Sequence, residues 1–166
     1  MNMATRTYEK DDLTVFWDST RCIHTGICLR SLHSVFHLGN RPWVNVDGAD
    51  AEQIIATVTK CPTGALRYSR RGEAEPPPAP TAMVPIQDGP LLVRGDLRVL
   101  DPETGSALAE ETRLALCRCG RSENQPFCDN SHRRTQFVEP PHAGSASRVD
   151  AQSPDDICPP QDFELD

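Results

Sequence analysis

Aromatic residues make up only 5% of this 166-residue chain, and hydrophobic residues 37%. That is a thin supply of core for so long a polypeptide, so part of it is expected to lie outside any compact unit. No stretch approaches the ~18 apolar residues of a membrane span, which argues against a membrane protein. The N-terminal MNMATRTYEK has no apolar segment of the kind that marks a secretory signal. Basic excess is missing too: the net charge is −7, whereas nucleic-acid binding leaves a basic footprint. Also missing are a nucleophile–base pair, a phosphate-binding glycine loop and a dinucleotide fingerprint, so an enzyme with substrate chemistry of its own is not expected. No internal repeat relates one half of the chain to the other.

Seven cysteines stand out against this background. Their odd number and irregular spacing do not form a disulfide framework. With no export signal, the expected location is the reducing cytoplasm, where clustered cysteines bind metals more often than each other. A weak core held by metal is the usual remedy in small domains.

Composition divides the chain. Residues 70–86 are rich in proline (Pro76, Pro77, Pro78, Pro80 and Pro85) and read as a semi-rigid linker. Residues 139–166 hold seven acidic side chains against Arg148, a net of −6, and read as a disordered acidic tail. Two compact units remain, 8–69 and 87–138.

In the first unit, Leu13–Trp17 predicts a strand, 26–35 a short helix, and Trp43–Val46 a second strand. Asp50 is placed to cap a helix that ends before Pro62, and Ala65–Tyr68 predicts a closing strand. In the second, Leu91–Val93 and Leu97–Leu100 flank Arg94-Gly95-Asp96, which suits a hairpin or a bulge. Arg113–Leu116 is a further strand, and Asp129 caps a short helix through His132. The fold class is therefore α+β: a small mixed unit followed by a small β-rich one.

The second unit carries the run CRCGRSENQPFCDNSH. Cys117 and Cys119 share a face of an extended segment, and Cys128 and His132 share a face at a helix start. Each pair can grip one metal, and two irons with two protein ligands each is the demand of a 2Fe–2S rhombus. A structural zinc site is the other reading of three cysteines and a histidine, although its paired ligands usually stand two to four residues apart.

With Ser122, Pro126, Asp129 and Ser131, this run resembles the mitoNEET-like CDGSH iron–sulfur family, from which it departs only by Asn130 in the glycine position. The resemblance implies a 2Fe–2S cluster on Cys117, Cys119, Cys128 and His132, and admits a homodimer. A neutral imidazole in place of a thiolate raises a cluster's potential, and its ionisation near neutral pH is expected to make the cluster pH-sensitive. Arg118, Arg121, Arg133 and Arg134 could steer an acidic redox partner.

In the first unit, Cys22 and Cys28 lie in Cys22-Ile-His-Thr-Gly-Ile-Cys28 and Cys61 in Cys-Pro-Thr-Gly-Ala-Leu. This is the C-x2-C-x2-C frame of bacterial ferredoxins with a remote Cys-Pro, except that Thr25 replaces the middle cysteine. Three thiolates favour a 3Fe–4S cluster, and a 4Fe–4S cluster would draw a fourth ligand from His24, Thr25 or water. With Pro42 and Trp43, residues 13–68 resemble the divergent mono-cluster 4Fe–4S ferredoxin-like family. His33 and His37 read as surface or packing residues, and Cys158 as a free thiol. The expected function is electron transfer through two iron–sulfur centres. The alternative is an iron–sulfur cluster carrier or iron/redox sensor that hands a labile cluster to an apo-protein.

Overall fold

The computed structural model describes residues 5–139. The predicted tail beyond Glu139, with Cys158, lies outside the described residues.

Strand β1 (Thr5–Lys10) pairs antiparallel with β2 (Leu13–Asp18), which pairs with β3 (Leu66–Arg70), and β3 with β4 (Glu73–Ala74). Between β2 and β3 the chain forms α1 (Ile27–Ser31) and α2 (Ala51–Val58). In β2 the alternation of Leu13 and Val15, both almost fully buried, turns one face onto α2, whose Ile54 and Val58 meet them in the core with Phe36, Trp43 and Val44. Asp50 caps α2 as expected, accepting from the Gln53 N–H at 2.8 Å, which satisfies an N–H left over at the helix start.

The second sheet orders β5 (Ala82–Pro85), β6 (Leu91–Leu100) and β7 (Ala107–Leu116), all antiparallel. Its core is small: Leu92, Ala115 and Cys128, with Val84 and Ile86 against them. A one-turn helix, α3 (Ser131–Arg134), follows the last loop. The fold class is thus the predicted α+β.

Four details differ from expectation. Trp43–Val46 is no strand: Val44 makes a single bridge to Phe36 and Val46 starts a 3-10 turn. The segments 91–93 and 97–100 are one strand with a bulge, its pairing register shifting between Arg94 and Leu97. Strand β1 was not expected, because its TRTYEK carries few apolar residues for an edge strand. Finally, residues 70–86 are not a spacer. They supply β4 and β5, and they bury Glu75 against Arg113 of β7, at 2.6 and 2.8 Å.

That ion pair belongs to a joint between the two sheets. The Arg113 guanidinium also donates to the carbonyls of Val58, Cys61 and Leu66. Glu111, two residues earlier, takes Arg21 at 3.1 Å and Arg67 at 3.0 Å. Gly64 lies under this strand with φ +67°, and a side-chain carbon there would stand 2.5 Å from the Arg113 carbonyl oxygen. The Arg21 guanidinium rests 4.2 Å above the Phe127 ring. The two ligand-bearing units are therefore packed together.

Candidate metal centres

In the second unit, β7 delivers Cys117 at its end. The returning segment pairs with that strand: Cys117 N–H donates to the Pro126 carbonyl at 2.9 Å, and Cys128 N–H to the Ala115 carbonyl at 2.8 Å. The loop between them is folded on its own side chains. Ser122 Oγ donates to the Phe127 carbonyl and accepts from Asn124 N–H. Asp129 accepts from Glu123 N–H and from Ser131 N–H. These bonds outweigh the desolvation cost and hold the Asp129 carboxyl down to about 2.

This framework sets two donor pairs. Cys117 Sγ lies 3.7 Å from Cys119 Sγ, and Cys128 Sγ lies 3.4 Å from His132 Nδ1. With metal–sulfur and metal–nitrogen bonds of about 2.3 and 2.0 Å, two thiolates on one tetrahedral metal stand about 3.8 Å apart, and a thiolate and an imidazole about 3.5 Å. Each pair therefore fits one tetrahedral metal. Among the described residues, no three His, Cys, Asp or Glu side chains converge on a single ion position. Two such pairs are what a two-iron rhombus would need.

The electrostatics agree with that donor set. Burial works against ionising Cys117, but N–H groups of Ser122, Gly120 and Arg121, with the Cys119 thiol, hold it below its ordinary value. Burial pushes the Cys128 thiol up, so metal binding there releases a proton. Burial and the nearby Arg133 lower His132, which favours the neutral imidazole that a metal requires. Arg118, half-buried, is engaged within the chain: it pairs with buried Glu139 and donates to the Ile86 carbonyl.

In the first unit, Cys22 lies in the loop after β2, Cys28 in α1 and Cys61 in the turn after α2. The structure brings all three to one cavity, lined also by Trp17, His24, Thr25 and Trp43. Burial, with Cys61 and Cys22 as like-charged neighbours, pushes the Cys28 thiol up to about 12. Burial raises Cys22 as well, and it and Cys28 ionise together only if cations offset them. Donors for sulfur surround them. The Trp17 indole and the His24 backbone N–H donate to Cys22, and the Thr63 hydroxyl lies 3.6 Å from Cys61 Sγ. Trp43 Nε1 is buried without a protein partner among the described residues, a donor that inorganic sulfide would satisfy. The site therefore fits a sulfide-bearing cluster.

The His24 ring nitrogen lies 3.8 Å from Cys22 Sγ. At this separation the His24 ring is within hydrogen-bonding reach of Cys22. His33 and His37 pack against each other with tilted rings, 4.4 Å between ring centres, and do not line the cavity.

Comparison with known proteins agrees with this division. Residues 8–71 match a family described as divergent 4Fe–4S mono-cluster. Residues 88–133 match one described as iron-binding zinc finger, CDGSH type. The uncharacterised protein YjdI of Escherichia coli strain K12 is 30% identical over 66 residues, covering 40% of this chain and 87% of the relative. The same protein of Escherichia coli O157:H7 matches equally. The chain belongs to both iron–sulfur families, one for each unit.

It is thus a mono-cluster 4Fe–4S domain joined to a CDGSH domain. The description of the first family names four irons, and the expectation of a three-iron cluster finds no support in it. Sequence reasoning had missed Thr63, Trp17 and Trp43 Nε1 as donors around the mono-cluster site. A threonine two residues after a Cys-Pro ligand is the one local signal that could have pointed to Thr63.

Proposed function

We propose that this protein is a two-centre electron carrier, with no substrate chemistry of its own. It would hold a 2Fe–2S cluster on Cys117, Cys119, Cys128 and His132, and a 4Fe–4S cluster on Cys22, Cys28, Cys61 and a fourth, non-cysteine ligand. One observation carries the reading. Both donor sets match sulfur-rich clusters, yet Cys22, Cys28, Cys61, Cys117 and Cys119 are only half-buried, within reach of a partner's redox group. When bound, the clusters supply one-electron chemistry; the protein supplies thiolates, one imidazole and the N–H donors that hold reduced sulfur. All six described cysteines are free thiols, which suits a reducing cytoplasm. No helix among the described residues is long and apolar enough to cross a membrane.

The test is iron and sulfide analysis of anaerobically purified protein, with visible and EPR spectra and a redox titration. About six irons and two reversible one-electron steps are expected. About five irons, with a three-iron signal in the oxidised protein, would restore the 3Fe–4S assignment. Colourless protein that contains zinc and lacks sulfide would overturn the function. So would irreversible reduction with transfer of iron and sulfide to an apo-ferredoxin, which would assign a cluster carrier instead.

A further inference from the structure

Asn130 is the one residue by which the CDGSH run departs from its family pattern, and its position is unusual. Its backbone is left-handed, φ 70°, a conformation natural to glycine and tolerated by asparagine. The fold therefore does not need a side chain here. Yet the side chain is partly buried, and it crosses to the other unit, where Nδ2 donates to the Ile23 carbonyl at 2.5 Å. The backbone N–H of the same residue donates to Cys128 Sγ at 3.4 Å. Ile23 follows Cys22 directly, and its side chain is buried in one cluster with Cys128. One residue thus joins a candidate ligand of the CDGSH site to the peptide bearing a candidate ligand of the mono-cluster site.

Resting on the electron-carrier function, we propose that Asn130 and the Cys22–Ile23 peptide form the route by which an electron passes between the two sites. The route runs from Cys22 through its own backbone to the Ile23 carbonyl. It crosses the hydrogen bond to Asn130 Nδ2, follows Asn130 to its N–H, and ends at Cys128 Sγ. It has only covalent bonds and two hydrogen bonds, and it lies beside a dry contact of Ile23 with Leu92 and Ala115. His132 sets the direction, because a neutral ligand raises the potential of its centre. One electron leaves the mono-cluster site, oxidising it by one, and reduces the CDGSH site by one; no atom is transferred. Asn130 is a positioning residue in this scheme.

The interface offers a built-in control. Asn124 makes a comparable bond across the same interface, from its Nδ2 to the Thr20 carbonyl at 2.9 Å, but it touches neither candidate ligand segment at a sulfur. In the holoprotein, photochemical injection of less than one electron per molecule is followed optically at both centres. A redistribution phase independent of protein concentration is expected. It should slow severalfold in Asn130→Gly and keep its rate in Asn124→Ala, with the spectrum and potential of each centre unchanged. If Asn130→Gly fails to hold both centres, Asn130→Asp, which keeps the backbone N–H and loses the side-chain donor, is measured in its place. An unchanged rate in the Asn130 variant, or equal slowing in Asn124→Ala, would overturn the route. Reversible reduction of both centres with only concentration-dependent redistribution would also overturn it and leave the carrier function standing. Irreversible reduction of either centre fails the carrier function itself.

Discussion

A single imidazole among three thiolates decides the charge of the CDGSH site. Each thiolate ligand brings one negative charge, and His132, lowered by burial and by Arg133, brings none. Added electron density is therefore resisted less there than in an all-cysteine site. Replacing the histidine with cysteine keeps a ligand in place and adds one negative charge. A His132→Cys variant is expected to retain its visible spectrum type and to show a lower reduction potential for that centre alone. Potentiometric titration of both centres checks this, and a potential that rises or stays the same would refute the charge argument. The candidate ligands at this scale were legible in the sequence, because i, i+2 and i, i+4 spacing fixes which side chains share a face. Asn130 was legible only as a tolerated departure from a glycine position. Its bond to Ile23, 107 positions away in the chain, has no local signature.

At the scale of elements, the turn after α2 links a candidate ligand to the packing of the second sheet. Cys61 is followed by Pro62, Thr63 and Gly64, and Gly64 has both a left-handed φ and the Arg113 carbonyl where its side chain would be. A Gly64→Ala substitution meets two costs at once. The left-handed backbone costs a non-glycine residue about 1–2 kcal/mol, and a contact of 2.5 Å to a backbone oxygen forces β7 or the turn to shift. The expected outcome is a lower melting temperature together with weakened visible absorbance of the mono-cluster centre, since the turn that moves carries Cys61. A variant that melts lower while holding that centre unchanged would uncouple the turn from the site. Strong local patterns were readable at this scale: the alternation of β2 and the Asp50 cap both appear as expected. The weak points were elements whose stability comes from outside their own sequence. Edge strand β1 is polar and rests on pairing with β2. Trp43–Val46 alternates like a strand but has no neighbour to pair with beyond the single bridge at Phe36. The proline count of 70–86 suggested a spacer because composition does not reveal that Glu75 will meet Arg113.

For the whole molecule, the joint between the units combines the Ile23 contact with Leu92 and Ala115 with buried ion pairs, and the ion pairs fix how it responds to pH and to mutation. Glu111 is nearly inaccessible between Arg21 and Arg67, and burial pushes its carboxyl above the ordinary value in spite of both arginines. The folded chain therefore holds this proton more tightly than the unfolded chain does. Stability contributed by the group rises as pH falls through the raised folded value toward the ordinary 4.5, and it is lost as pH rises again. Wild type is expected to gain on Glu111→Gln as pH falls from about 7 toward that range, read as the difference between their melting temperatures. A gap that moves the other way would mean that the arginines, and not burial, set the carboxyl. Arg113 and Glu75 bear more of the joint. Removing the cation leaves a carboxylate buried at 9% exposure and frees the carbonyls of Val58, Cys61 and Leu66. Losing one partner of a buried pair costs about 3–5 kcal/mol, whereas removing both charges together costs much less. Arg113→Met should therefore be strongly destabilised, and Arg113→Met with Glu75→Leu should recover a large part of the loss. The recovery is bounded, because the carbonyls that the guanidinium satisfied stay unpaired in both variants, including that of Cys61. Denaturant unfolding of the three proteins reads the difference directly, and it adds a second signature. While the joint holds, loss of the absorbance of either centre should coincide with loss of secondary structure in a single transition. In Arg113→Met the two absorbances should separate, with the mono-cluster centre, whose Cys61 turn leans on the guanidinium, lost first.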